Sequence, residues 1–222
     1  YDDVSNDQRK VIYEQRNELL ASTDIGDTIR AMRDDVLNNT ISQHIAPGSM
    51  DEQWDVAGLE KTLAAQFSLH LTLAQWLDED KTLNEDGLRK KICEAADALS
   101  REKEALVGAE GLRQFERAVM LQSLDTHWRD HLSALDHLRQ GIHLRGYAQK
   151  QPKQEYKREA FELFAAMLDA IKLEVTQITM AVQVRAPEDV QAVELYEEPT
   201  HVEFQHAEYD EGKDFAEAAV AV

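Results

Sequence analysis

Residues 112–140, LRQFERAVMLQSLDTHWRDHLSALDHLRQ, run for 29 residues without glycine or proline, and residues 153–186, KQEYKREAFELFAAMLDAIKLEVTQITMAVQVRA, do so for 34. In the first stretch Leu121, Leu124, Trp128, His131, Leu135 and Leu138 recur at alternating steps of three and four, continuing to Ile142. In the second, Ala160, Phe164, Met167, Ile171, Val175, Ile178 and Val182 follow one another at steps of three or four. Such steps place side chains on one stripe of an α-helix. Two stripes joined by about ten residues predict a long antiparallel hairpin. Its packing seam sets Leu124, Trp128, Leu135 and Leu138 of one arm against Phe164, Met167 and Ile171 of the other. At 1.5 Å per residue each arm reaches roughly 40–50 Å, which carries the tip far from the base.

The segments before the hairpin are also helical, so the fold class is all-α. Tyr1 to Ile25 lacks glycine and proline, and Tyr1, Val4, Val11 and Leu19 form a stripe with polar Gln8 and Gln15 filling it. Ser22-Thr23-Asp24 and Gly26 interrupt that helix; a second, with Ile29, Met32, Val36 and Thr40, runs to Pro47-Gly48. Between Pro47 and Gly108 the helices are shorter. Ser49 with Glu52, and Thr82 with Glu85, have the spacing of capping boxes. Gly58–Phe67 and Thr72–Asp78 read as two short helices, and Leu88, Ile92, Ala95, Ala96 and Leu99 mark a longer one. This part reads as a small helical unit around a modest core of its own. The last 38 residues, from Arg185, hold eleven acids against only Arg185 and Lys213, with Pro187 and Pro199. That composition predicts a mostly disordered acidic tail.

Charge and composition exclude several functions. The 222 residues carry 24 Lys and Arg against 43 Asp and Glu, a net charge of −19. An acidic surface of that size repels a phosphate lattice, so nucleic acid is not an expected partner. A single cysteine, Cys93, rules out an internal disulfide framework and fits a reducing compartment. No apolar run approaches the ~18 residues of a membrane-spanning helix. Tyr1-Asp2-Asp3 shows neither a signal peptide nor a start methionine, which suggests a piece of a longer cytosolic chain.

The hairpin turn is the most informative stretch for function. Arg139, Arg145, Lys150, Lys153, Lys157 and Arg158 face only Glu155, a local charge of +5. Ile142, Leu144 and Tyr147 add apolar and aromatic surface, and Gly141 and Gly146 offer backbone freedom at the apex. Aromatic and basic residues together favour a docking tip. Basic side chains at the start of the second arm oppose the helix dipole, so dipole compensation does not account for them. His127 and His131, four residues apart, have zinc-ligand spacing, but further ligands and the glutamate of a metalloprotease motif are missing. His131 is expected at the edge of the core and Trp128 within it. No phosphate loop, Cys-x-x-Cys pair or nucleophile elbow is present, so no catalytic, metal or cofactor-binding residue is assigned.

The segments Gln122–Trp128, Leu138–Lys150 and Pro152–Glu159, together with Tyr1–Val4, Asn6–Arg9 and Val107–Glu110, closely resemble the SecA family of ATP-driven preprotein translocation motors. The likeness covers about residues 1–190. It implies that residues 1–21 end the long helix of a helical scaffold domain. Residues 22–108 are then a helical wing domain, 109–184 a two-helix finger, and 185–222 the start of a C-terminal linker. It further implies a finger whose tip (Tyr147, with Arg145, Leu144, Ile142 and Lys150) contacts the SecY channel of SecYEG and the moving preprotein. The finger would also lie along the N-terminal ATPase motor and restrain it. ATP and Mg belong to motor domains, and zinc to a C-terminal module, that these residues do not include. The resemblance places the protein in the bacterial cytoplasm, peripherally on the inner membrane; contact of the basic tip with an anionic membrane surface, and a homodimer, are compatible with it. Gln151 departs from the family pattern, where aspartate is expected. The rival reading is a stand-alone helical adaptor that binds a partner coiled coil through the basic hairpin tip, and a weaker third is a metal-dependent enzyme using His127 and His131.

Overall fold

The computed structural model describes residues 2–142 and 151–183. The expectations for Leu144, Arg145, Tyr147, Lys150 and the acidic tail therefore lie outside the described residues. Seven α-helices follow one another: α1 (Asp2–Ala21), α2 (Gly26–His44), α3 (Val56–Phe67), α4 (Leu73–Glu79), α5 (Glu85–Val107), α6 (Ala109–Gly141) and α7 (Pro152–Ala181). A short 3₁₀ turn at Asp51–Gln53 precedes α3. No strand occurs among the described residues. The all-α expectation is met.

The hairpin forms as its periodicity predicts. α6 and α7 are the long arms, and ten residues separate them. Pro152 opens α7 at its first turn, where its missing N–H costs nothing. Gly141 is not part of an apical turn: it is the last residue of α6, with helical neighbours. α7 ends at Ala181.

Three apolar clusters lie along these helices, and α7 enters all of them. The middle cluster joins Ile12 and Leu19 of α1 and Ile29 of α2 to Val119, Met120, Leu124 and Trp128 of α6 and Met167, Ile171 and Val175 of α7. Towards the hairpin tip, Leu135, Ile142, Tyr156 and Ala160 close around Val4, Leu138 and Leu163. The third cluster joins Leu37, Ile41 and Ile45 of α2 to α3, α4 and α5, and takes in Met180 of α7. The small unit thus has no core entirely its own between Pro47 and Gly108. α2 feeds two cores, because its N-terminal half faces the hairpin and its C-terminal half faces the short helices.

Three local expectations are corrected. On α1 the buried residues are Gln8, Ile12 and Leu19, while Val11 is exposed; the stripe passes through Ile12. On α7 the stripe leaves Ile178 exposed and shifts to Thr176 and Met180, because the last turns pack on the third cluster. Neither expected capping box forms. Asn84 caps α5, its Oδ1 accepting from Gly87 N at 2.9 Å, and Asp55 caps α3 by accepting from Gly58 N at 2.9 Å. Glu85 is engaged elsewhere, accepting from Gly48 N at 2.9 Å and from Arg89 Nε at 2.9 Å.

Gly108 is the joint between α5 and α6, with φ 80° and ψ 154°. That backbone region is open essentially to glycine alone. Gly108→Ala is expected to destabilise the protein by about 1–3 kcal/mol although no atom lies within 4 Å of the added carbon. Gly141→Ala, on a helical residue with equally free space, is expected to leave stability unchanged or raise it by up to about 1 kcal/mol. Urea unfolding of the two variants checks the contrast.

Candidate functional site

Leu124, Trp128, Leu135, Met167 and Ile171 are buried, and Leu138 and Phe164 are partly buried against them. The arms meet near the tip through Tyr156, 2% exposed, and Ile142, fully buried. Ile142 was expected among the surface-contacting tip residues; instead its side chain fills the cluster at the root of the turn. Tyr156 was missed, although it stands one helical turn before Ala160 on the same stripe. These two residues form a packed base where the described parts of the two arms end.

Charges surround that base. Arg139 meets Asp2 at 3.3 Å, tying α6 to the start of α1, and Arg158 meets Glu155 at 2.6 Å within α7. Lys153 and Lys157 stand exposed on the same end of α7. Part of the positive charge read from the sequence is therefore engaged within the fold, and part faces water.

The two histidines do not converge. His127 Nε2 lies 2.9 Å from Glu174, whose carboxylate also accepts from the Ser123 hydroxyl, so this polar contact spans α6 and α7. His131 is 4% exposed and lies between the rings of Trp128 and Phe164, at 5.5 and 5.6 Å. Its Nε2 is 2.8 Å from Gln8 Oε1 of α1. Among the described residues no group of three His, Cys, Asp or Glu side chains is placed to hold a metal ion. His131 is a packing residue with a polar duty towards α1.

A second polar region stitches α5 to its neighbours. Arg113, in the first turns of α6, meets Glu104 of α5 at 2.7 Å, Asp24 of the α1–α2 connection at 3.5 Å, and Glu116. Burial pushes the Glu116 carboxyl above its usual range, and Arg113 works against that rise. Arg33, buried on α2, shares Asp97 of α5 with Arg30. Lys103 Nζ donates to the carbonyls of Thr179 and Met180, which are among the free carbonyls at the end of α7. Burial lowers the Lys103 pKa, with Arg33 adding to it. Cys93 packs half-buried on the third cluster; burial, with Asp34 and Asp97 nearby, raises its thiol to about 11, far from a reactive thiolate.

Burial alone lowers the His131 pKa from its ordinary 6.5. The unfolded chain then binds the proton more readily than the folded one, so this residue's share of stability is present above pH ~6.5 and is lost as pH falls towards the depressed folded value. His131→Gln removes the titration. Wild type is expected to lose stability relative to this variant between about pH 7 and pH 5. Denaturation curves at each pH test this; a constant difference would contradict it.

The sequence that forms α1 to α7 has counterparts among known proteins. Residues 1–183 match the SecA Wing and Scaffold domain family. Over 221 residues, all of this chain, it is 85% identical to a protein translocase subunit SecA from Thiobacillus denitrificans. It is 60% identical to the one from Methylobacillus flagellatus over 98% of its length, and 54% identical to the one from Dechloromonas aromatica over 100%. The chain spans about a quarter of the length of these relatives, 24% in each case. On this match, which takes in all seven helices, the chain belongs to the SecA wing and scaffold family.

Proposed function

We propose that this chain is the mechanical part of an ATP-driven motor that moves preproteins through the SecYEG channel. Family membership over the whole described fold carries the reading. The relatives are named as protein translocase subunits, and this chain corresponds to 24% of the nearest in identity among those given above. In this reading α6 and α7 form the finger. Its tip, with Leu144, Arg145, Tyr147 and Lys150, meets the channel and the moving polypeptide. α1 leads back to an N-terminal motor whose ATP and Mg chemistry lies in other residues, and the finger restrains that motor's turnover. Zinc belongs to a further C-terminal module. The basic end of α7 suits an anionic membrane surface beside the channel. Membrane association is peripheral in this proposal; no helix among the described residues is long and apolar enough to cross a membrane.

The physical support is the packed base of the tip. A lever transmits displacement only if its arms do not slide, and Tyr156, Ile142, Ala160 and Leu135 lock the arms within a few residues of the turn. A tyrosine ring at the apex offers a rigid amphipathic face that grips backbone and varied side chains without sequence preference.

Two outcomes test the proposal. In the full-length protein Tyr147→Ala is expected to abolish or severely slow preprotein transport while shifting stability by no more than ~0.5 kcal/mol. Tyr147→Phe should retain more transport. Leu135→Ala, at 4% exposure, should instead cost about 2–5 kcal/mol of stability. A large loss of melting temperature in Tyr147→Ala would make that residue structural and defeat the tip reading. Second, this chain alone is expected to release no phosphate from ATP and to lower the turnover of a separately supplied motor. Unchanged turnover on mixing would contradict the restraint.

A further inference from the structure

Gln8 is the one polar side chain buried on α1, at 8% exposure among apolar neighbours of the bundle. Its Nε2 donates to the carbonyl of Ala160 on α7 at 3.0 Å, and its Oε1 lies 2.8 Å from His131 Nε2 on α6. These contacts determine the chemistry of all three groups. A carbonyl oxygen only accepts, so the amide nitrogen must face Ala160 and the amide oxygen must face His131. The imidazole therefore carries its proton on Nε2 and donates. One side chain thus satisfies a buried donor on one arm and engages a backbone acceptor on the other.

Apolar seams hold helices together but specify axial position weakly, because a leucine tolerates many neighbours. A single buried polar residue with a fixed partner specifies register, generally at a cost in stability. The two other side-chain links between α1 and α6 among the described residues do not do this. Asp2–Arg139 is largely exposed, and Arg16–Asp125 has side chains 39% and 46% exposed. Exposed ion pairs are worth little and tolerate rearrangement. Among the described residues Gln8 links α1 to both arms at one buried point.

We infer that Gln8 is a positioning residue that fixes the axial register of α1 against both arms of the hairpin through His131 and Ala160, so that a displacement of α1 is passed to the tip. The transmission part rests on the translocase reading above; the register part does not.

The experiment separates the two. With Cys93 replaced by serine, spin labels at Lys10 on α1 and Glu162 on α7, both exposed, report the axial offset. Wild type should give one narrow distance. Gln8→Leu leaves the His131 N–H without an acceptor and should melt lower. Gln8→Leu combined with His131→Leu removes both polar groups and should melt as high as wild type or higher, since apolar replacement of a buried polar pair is often neutral or stabilising. In that well-folded double variant the distance should broaden or gain a second population displaced by up to about 5 Å, one helical turn. An unchanged narrow distance overturns the register role, whatever happens to activity. In the full-length protein the double variant should keep its basal ATPase and consume at least about twofold more ATP per preprotein moved. A shifted distance with unchanged ATP consumption overturns the transmission role. Absence of ATP-driven transport by the full-length wild type overturns the translocase reading itself, and the distance measurement still decides register.

Discussion

Two antiparallel helices of about 30 residues bury one stripe on each arm and leave the rest of both surfaces to water. Such a pair is marginal by itself, since most helical stability in proteins comes from tertiary packing. The constraint met by this fold is that a hairpin reaching ~50 Å must be supported along its length. α1 supplies that support. Ile12 and Leu19 complete the middle cluster with Trp128 and Ile171, and Val4 packs on the cluster of Leu135, Ile142, Tyr156 and Ala160. Gln8 joins α1 to both arms between those two regions. The hairpin is therefore two sides of a three-helix bundle.

At the other end, α7 terminates among α2, α3 and α5. Met180 enters the apolar cluster, and Lys103 satisfies carbonyls that the helix end leaves free. The chain passes between the two regions at α2, which runs through both cores, and at Gly108, where backbone geometry demands glycine. Arg113 draws the α1–α2 connection, the end of α5 and the start of α6 together by ion pairs. Glu116 is nearly buried in that set, so loss of Arg113 would strand a carboxylate, a costlier event than loss of a surface pair. The small helical unit is consequently fastened to the hairpin by packing and by charge.

Much of this was legible in the sequence, and the failures have physical causes. The seam from Leu121 to Leu138 and its partner from Ala160 to Val175 follow from local periodicity, which burial on one face preserves. Val11 and Ile12 are adjacent, so local spacing fits either; the choice is made by Gln8, whose burial depends on His131, 123 positions away. A polar residue in a stripe looks like filler until its partner is known. The capping boxes failed because Ser49 and Thr82 found closer partners: Ser49 donates to Ala46 and Thr82 to Asp80. The shift from Ile178 to Met180 reflects a neighbour that comes from α5 and α2, which no helical period in α7 encodes. The basic charge of the hairpin turn was read from composition, whereas the burial of Tyr156 and Ile142 needed the fold.

The central claim is that α1 and the two arms form one cooperative unit. Native-state hydrogen exchange measures this directly. Amides around Ile12 on α1, Trp128 on α6 and Ile171 on α7 should open with the same free energy, equal to that of global unfolding, and should respond equally to denaturant. Exchange at Ile12 through a separate, lower-energy opening, with Trp128 and Ile171 still protected, would show that the hairpin stands without α1 and would contradict the account.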